Sequence, residues 1–400
     1  MRILVTDGNL RSALAAVRSL GSFGAEVIVG DKSSTSLAGT SRHCRRTLKY
    51  PDPITQACAF KTFILSQARS GAFDMLLPVS EITSQLIAQI REQLPNSVVV
   101  LSPKGEQLLQ AVDKRQTLLA AIEVNVPIPE THMLHEDDCL EEVAERLSYP
   151  VVIKPRFSWF YRDGKWANGS VEFAYSPDEL RTMYSRIHAA NPFPLVQRRI
   201  EGEGKGIFLL VWNGELKAAF AHRRLREKPP WGGVSTYCES VALDETLVSS
   251  SLSLLRYMDW NGVAMVEFKV DRTDGLAKLM EVNGRLWGSL QLAIDAGVNF
   301  PVLLYRLASG EKVPPQSGYK LGVRSRWFWG DFDQLIIRLK SRSGLIPGAP
   351  SKVRATLDFM KLMEFNTRYD VFRLSDPGPG WFETRSYIHE NLGWSRKHAS

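Results

Sequence analysis

Cysteine is scarce in this chain. Its 400 residues contain four, Cys44, Cys58, Cys139 and Cys238. They form no CxxC pair and have no histidine cluster beside them, which argues against structural zinc. Reduced thiols in a cytoplasmic protein are expected instead. Long apolar runs are also missing. No stretch of about 18 apolar residues occurs, so no membrane-spanning helix is expected. The opening "MRILVTDGN" lacks the apolar core and cleavage site of a signal peptide and reads as the start of a strand. The net charge of +7 is mild and spread along the chain. The nearest thing to a basic block, "HRRLREK" (222–228), includes a glutamate, so no nucleic-acid partner is expected. No Ser-His-Asp or Cys-His arrangement offers a covalent nucleophile. Internal repeats and low-complexity tracts are absent.

What is present first is alternation. "RILVT" (2–6) reads as a strand, "LRSALAAVRSLGSFG" as a helix stopped by Gly21 and Gly24, and "AEVIVGD" as a second strand. "FDMLLPVS" (73–80) and "SVVVLS" (97–102) continue the pattern, which predicts a parallel sheet with helices on both faces. The first turn, "TDGNLRSA", carries only Gly8 where a dinucleotide-binding fingerprint needs three glycines. A Rossmann-like domain that binds no NAD is therefore favoured over an NAD(P)-dependent enzyme.

The middle of the chain changes character. "DKRQTLLAAIE" predicts a helix capped near Asp113, and "YPVVIKP" (149–155) a buried strand that presents Lys154. "RFSWFYRDGKWANGSVEFAY" predicts an aromatic loop or hairpin, and "SPDELRTMYSRI" a capped helix. "FPLVQRRI" reads as a strand and "EGEGKG" as a loop. Two hairpins follow, one turning at Asn213-Gly214 and one near Thr273-Asp274-Gly275. "LWGSLQLAIDAGVNFP" reads as one helix. Beyond residue 315 the chain is rich in Arg, Trp and Phe. A subdomain packing its aromatics on the main body is favoured there over single-strand nucleic-acid stacking.

The second hairpin carries chemistry. With its turn at 273–275, Glu267 falls nearly opposite Glu281, and Asn283 lies two residues on, on the same face. The two carboxylates, in the mostly apolar strands "VAMVEFKV" and "AKLMEVN", repel and are each costly to desolvate. A hard divalent cation removes the conflict, and this donor set suits Mg²⁺, with Mn²⁺ as its substitute, rather than zinc. Lys114 at a helix start and Lys154 at a strand end add two ammonium groups suited to a polyphosphate.

In order, "DKRQTL…VPIPET", "YPVVIKP", "LVQRRIEGEG", "VAMVEFKV" and "LMEVNGRLWGSLQLAIDAGVNFP" resemble the ATP-grasp superfamily, in particular its carboxylate–amine ligases and carbamoyl-phosphate-synthase-like members. The resemblance covers about residues 1–310. It implies an α/β and α+β architecture: a Rossmann-like preATP-grasp domain (1–103), an ATP-grasp subdomain with phosphate-binding lysines and lid (104–195), a second with hinge and metal ligands (196–312), and a C-terminal aromatic and basic extension (313–400).

By the same resemblance, Lys114 and Lys154 hold ATP phosphates. Gln197, Arg198 and Ile200 form the hinge that takes adenine, and Glu203 meets the ribose. Glu267, Glu281 and Asn283 bind Mg²⁺. Arg285 stabilises the acyl phosphate and the transferring phosphoryl group, with Lys154 beside it. The implied reaction activates a carboxylate with the γ-phosphate of ATP and passes the acyl group to an amine or another nucleophile, releasing ADP and phosphate. Both substrates would be small molecules, and a homodimer is compatible with the sequence without being specified by it.

One departure stands out. A Gly-rich loop commonly follows the second lysine in this superfamily. Here the segment is aromatic and basic, with Gly164 and Gly169 alone. Asn168-Gly169-Ser170 is the stretch that would face phosphate if this segment serves as the lid. Without such a lid the chain would bind nucleotide as a sensor or scaffold without turnover. Arg223 and Arg226, with His222 and the loop 229–237, follow the second central strand. With Arg156 they are the candidates for a basic substrate pocket.

Overall fold

The computed structural model describes residues 1–162, 164–230, 232–341, 351–361, 364 and 366–397. Asp163 of the aromatic segment, Trp231 of the 229–237 loop, and residues 342–350, 362–363, 365 and 398–400 of the C-terminal extension lie outside the described residues.

The three central N-terminal strands are short, mostly apolar and buried, which suits parallel pairing between helical layers, while the edge strands are more exposed. Together they form a five-stranded parallel sheet in the order Arg46–Lys49, Glu26–Asp31, Arg2–Val5, Met75–Leu77, Val99–Val100. The helix Arg11–Phe23 ends at Gly24, whose φ of 100° makes it a left-handed cap. At the first turn a Cβ on Gly8 would stand 2.4 Å from Ser36 Oγ. That glycine is required by packing.

Dinucleotide-binding sheets present phosphate donors where the strand order reverses. Here the carboxylate of Asp7 already accepts from the Ser80 amide at 2.9 Å and from the Thr83 hydroxyl at 2.6 Å. Asp31, the acid at the end of the second strand, accepts from the backbone and side-chain nitrogens of Asn9 at 3.0 Å each. Both carboxylates are thus bonded within the domain.

A four-stranded antiparallel sheet follows in the order Glu172–Ala174, Val151–Lys154, Leu195–Arg198, Thr131–His132. Between two of its strands the aromatic segment forms a separate hairpin, Trp159–Arg162 with Lys165–Asn168. Trp166 is buried in the same apolar cluster of the N-terminal domain as Phe60, and its backbone N–H donates to Ile54 O at 3.0 Å.

The large sheet has seven strands in the order Ala277–Asn283, Gly262–Asp271, Gly202–Trp212, Glu215–Lys228, Val234–Ser240, Arg324–Arg326, Thr367–Tyr369. Three expectations change here. The stretch "GEGKG" is strand, paired from Gly202 opposite Asp271 to Gly206 opposite Glu267, because a long apolar partner strand fixes its glycines. His222, Arg223 and Arg226 lie within the strand Glu215–Lys228 and do not follow it. The single helix expected after Arg285 is two, Leu290–Ala296 and Phe300–Ala308, broken by Gly297 at φ 111° with Asn299 capping the second.

The sheet also runs past residue 312, since Arg324–Arg326 and Thr367–Tyr369 extend it. The C-terminal segment is tied back to the first helix through Arg18, whose Nε donates to Asp376 and whose Nη1 donates to Asp370 O, both at 2.8 Å. The aromatics of this segment pack on one another, with Trp329 stacked on Tyr387 at 4.1 Å. No helix of the described residues is long and apolar enough to cross a membrane.

Candidate active site

The turn that closes the second hairpin is built by Asp271. Its carboxylate accepts from the Thr273 amide at 3.0 Å and hydroxyl at 2.7 Å, and Gly275 follows at φ 72°. That turn sets the register. Glu267 pairs with Glu281 and Met265 with Asn283, with one bulge between Glu267 and Phe268. Asn283 Nδ2 donates to Glu281 Oε1 at 2.9 Å. Arg285 Nη2 lies 3.4 Å from Asn283 Oδ1.

The two carboxylates divide their protonation unequally. Burial, and then the charge of Glu281, pushes Glu267 up to about 6, although Arg224 opposes the shift. Burial works against Glu281 too, but the Asn283 amide, Lys114, Lys154 and Arg285 outweigh it and hold that carboxyl below its ordinary value. Among the described residues no group of three His, Cys, Asp or Glu gathers as a metal site. The set here is two acids and an amide oxygen, all hard donors, with carboxylate repulsion that a divalent cation would relieve. These residues fit Mg²⁺.

The lysines act on the same acids from a strand of the other sheet and from a helix start. Lys154 ends the buried strand Val151–Lys154; burial lowers it to about 8, against the pull of Glu281. Lys114 opens the helix Lys114–Glu123, which Asp113 caps by accepting from the Arg115 amide at 3.1 Å. Burial lowers it as well, while Glu281 and Glu81 draw it up. Its Nζ donates to Ser158 Oγ at 2.7 Å, at the base of the aromatic hairpin. Glu81, Lys114, Ser158, Glu281, Asn283 and Arg285 line one cavity of about 20 Å³, room for a single water.

The segment 197–203 joins the two sheets. Gln197 is buried, with Nε2 donating to Thr131 Oγ1 at 2.8 Å. Arg198 pairs with Asp271, and its N–H donates to Glu130 O at 2.9 Å. Ile200 is buried, and Glu203 is exposed near the start of the long strand, opposite Val270. In the aromatic hairpin, the Gly169 N–H donates to Ser158 O at 2.9 Å, and a Cβ there would meet Pro155 at 2.8 Å. That amide is committed inside the chain.

The three arginines expected at a substrate pocket separate. Arg156 is held by Asp113, with its nearest nitrogen at 2.6 Å, and is not part of the basic cavity below. Arg223 pairs with Glu239 at 2.8 Å. Arg226 clamps the fully buried Asp331 with bonds of 2.6 and 2.7 Å and lines a cavity of about 410 Å³. Arg224, Arg324, Arg338, Lys361 and Glu364 line it with Arg226. Arg224 is the residue that sequence reasoning missed. Its Nη2 donates to Glu267 Oε2 at 2.8 Å and its Nη1 to Glu227 at 2.9 Å, so it links the acid pair to this cavity. The signal was strand parity, since Gly206 pairs with both Glu267 and His222, and Arg224 follows His222 by two. A register shift between Leu210 and Val211, on the way from the Asn213-Gly214 turn to this level, hides that parity. Glu81 also came unannounced, from the N-terminal domain.

Residues 191–328 match a family model described as "ATP-grasp in the biosynthetic pathway with Ter operon". The mitochondrial arginine-specific carbamoyl phosphate synthase large chain of Schizosaccharomyces pombe is 25% identical over 228 residues. That match covers 55% of this chain and 19% of the relative, so this chain spans about a fifth of the relative's length. The biotin carboxylase domain dimer of Hydrogenobacter thermophilus 2-oxoglutarate carboxylase, in complex with MgADP, ADP and bicarbonate, superposes with TM-score 0.64 at 13% identity, over 80% of this chain and 73% of that one. L-amino acid ligase from Bacillus licheniformis superposes with TM-score 0.57 at 18% identity, over 78% and 77%. The fold is the ATP-grasp fold.

Proposed function

We propose that this ATP-grasp protein is an ADP-forming ligase that activates a small carboxylate as its acyl phosphate and passes it to an amine or another nucleophile. The observation that carries this reading is the convergence of Lys114, Lys154 and Arg285 on the Glu267–Glu281–Asn283 set. Phosphoryl transfer is mostly positioning and charge neutralisation, and this inventory supplies both. Lys114 and Lys154 would hold phosphate oxygens. Gln197, Arg198 and Ile200 would hold the purine at the junction of the sheets, with Glu203 at the ribose. Glu267, Glu281 and Asn283 would hold Mg²⁺, which when bound screens the charge of the phosphates. Arg285 offers planar donors to the acyl phosphate oxygens. Arg224 and Arg226 face the cavity that suits the carboxylate substrate, while the ion pairs of Arg156 and Arg223 make them supports. Four unpaired cysteines support a cytoplasmic setting.

The test is ADP and phosphate release from Mg·ATP across a panel of amino acids and small carboxylates. Release that depends on one carboxylate and is lost in Glu281→Gln supports the reading. ATP binding with no turnover for any panel member favours a nucleotide-binding scaffold, the reading to which the internally bonded Gly169 amide lends weight.

A further inference from the structure

One surface helix turns an apolar stripe toward solvent. The helix Lys352–Met360 is started by Ser351, whose hydroxyl accepts from the Arg354 amide at 3.3 Å. At 3.6 residues per turn, Val353, Leu357 and Met360 fall on one stripe. They are 71%, 61% and 63% exposed. The opposite face holds Ala355 and the buried Phe359. Phe359 meets Phe328 at 6.0 Å and Phe332 at 5.9 Å, both on the helix Phe328–Lys340. The inner face therefore attaches this helix to the body, and the outer stripe is not needed for that.

Cations border the stripe on both flanks. Arg354 and Lys361, the residue after the helix, lie to one side of it and Lys352 to the other. Arg354 and Lys361 are exposed and share one carboxylate, Asp358, at 3.8 and 2.8 Å. Asp358 is the only acid of this helix. Lys352 Nζ donates to Leu339 O at 2.7 Å, at the end of the neighbouring helix, where Lys340 is exposed as well. Lys340, Lys352, Arg354 and Lys361 thus stand around the stripe against a single carboxylate.

This charge selects among occupants. A second copy of the chain would bring the same cations face to face, which opposes pairing through the stripe. Three side chains on one short helix are also little for a stable protein interface, which takes about 800 Å² from each partner. A lipid surface asks for no matching shape. It takes apolar side chains into the acyl boundary and, where its headgroups are anionic, attracts the cations around them. We propose that the helix Lys352–Met360 docks the protein on an anionic lipid surface, with Val353, Leu357 and Met360 entering the headgroup layer and Arg354 and Lys361 among the phosphates. One such helix is a weak anchor, so the attachment is reversible. Ala355, Asp358 and Lys361 also line the cavity of about 410 Å³, so docking brings that cavity next to the bilayer. The docking itself stands apart from the ligase reading.

The experiment sediments the full chain with vesicles of phosphatidylcholine alone and of phosphatidylcholine mixed with phosphatidylglycerol. Binding to the mixed vesicles should be tighter by about tenfold or more. The double variant Val353→Ser, Leu357→Ser should lose about tenfold of it, while its unfolding in urea stays that of the natural chain, because both positions face solvent. A net charge of +7 by itself draws the chain to anionic vesicles, and adsorption of that kind survives the double variant. No binding to mixed vesicles, or unchanged binding by the folded double variant, overturns the proposal. Self-association that the double variant abolishes, with no vesicle binding, overturns it in favour of a second copy.

Discussion

Arg224 reaches Glu267 across an intervening strand, Nη2 to Oε2 at 2.8 Å. The strand between them carries Gly204 and Gly206 at this level, so no bulky side chain stands in the path. The guanidinium therefore occupies the flank of the acid pair where a divalent cation would compete for the same carboxylate. Replacing Arg224 with Met removes that competitor and leaves the acids more negative. Mn²⁺ binding followed by electron paramagnetic resonance should then tighten by about threefold or more, a change of some tenths of a kcal/mol upward. The carboxylate substrate, which loses a cation from its cavity, should show a KM raised about tenfold.

The acids themselves should behave in the opposite sense. Glu281→Gln keeps the shape and the Asn283 neighbour but removes a charge that Lys114, Lys154 and Arg285 all stabilise. ADP formation should fall by about a hundredfold or more, the scale seen when a preorganised charge is removed from a transition state. Mn²⁺ binding should weaken in parallel. Intact turnover together with intact Mn²⁺ binding would remove Glu281 from the metal site.

How much of this could be read in advance depends on range along the chain. Glu267 opposite Glu281 could be counted from a turn at 273–275, because one hairpin contains both residues. Asn213-Gly214 likewise announces its turn, with φ of 51° and 76°. "GEGKG" misled because five residues with three glycines have no strand propensity of their own; the partner strand imposes the conformation. Arg224 was hidden by the register shift between Leu210 and Val211, which offsets the pairing by one residue and cannot be seen without the neighbouring strand. Arg226 on Asp331 spans 105 residues of chain, and no local pattern encodes that pair.

The C-terminal segment should prove integral to stability. Arg18 is 8% exposed and holds Asp376 and the carbonyls of Asp370 and Val371. Arg18→Met keeps the apolar stem but strands a buried carboxylate and those carbonyls. Unfolding in urea should show a loss of about 3 kcal/mol, the cost typical of removing one partner from a buried ion pair. A loss within experimental error would mean that the segment is only loosely attached.

Lys154 makes a prediction in pH whose sign differs between stability and binding. Its ammonium is lowered from 10.5 to about 8, first by burial, with Glu281 opposing. Between those two values the unfolded chain holds the proton more firmly than the folded one, so this lysine's contribution to stability rises with pH through that window and is least favourable below about 8. Phosphate binding needs the charged form and runs the other way. The ratio kcat/KM for ATP should fall about tenfold for each pH unit above about 8. Lys154→Arg, charged at every accessible pH, should flatten that limb even if its plateau is lower. Lys154→Met should lower the plateau by about a hundredfold and also lack the limb. An alkaline limb that survives in both variants would assign the titration to another group and leave Lys154 as a packed strand end.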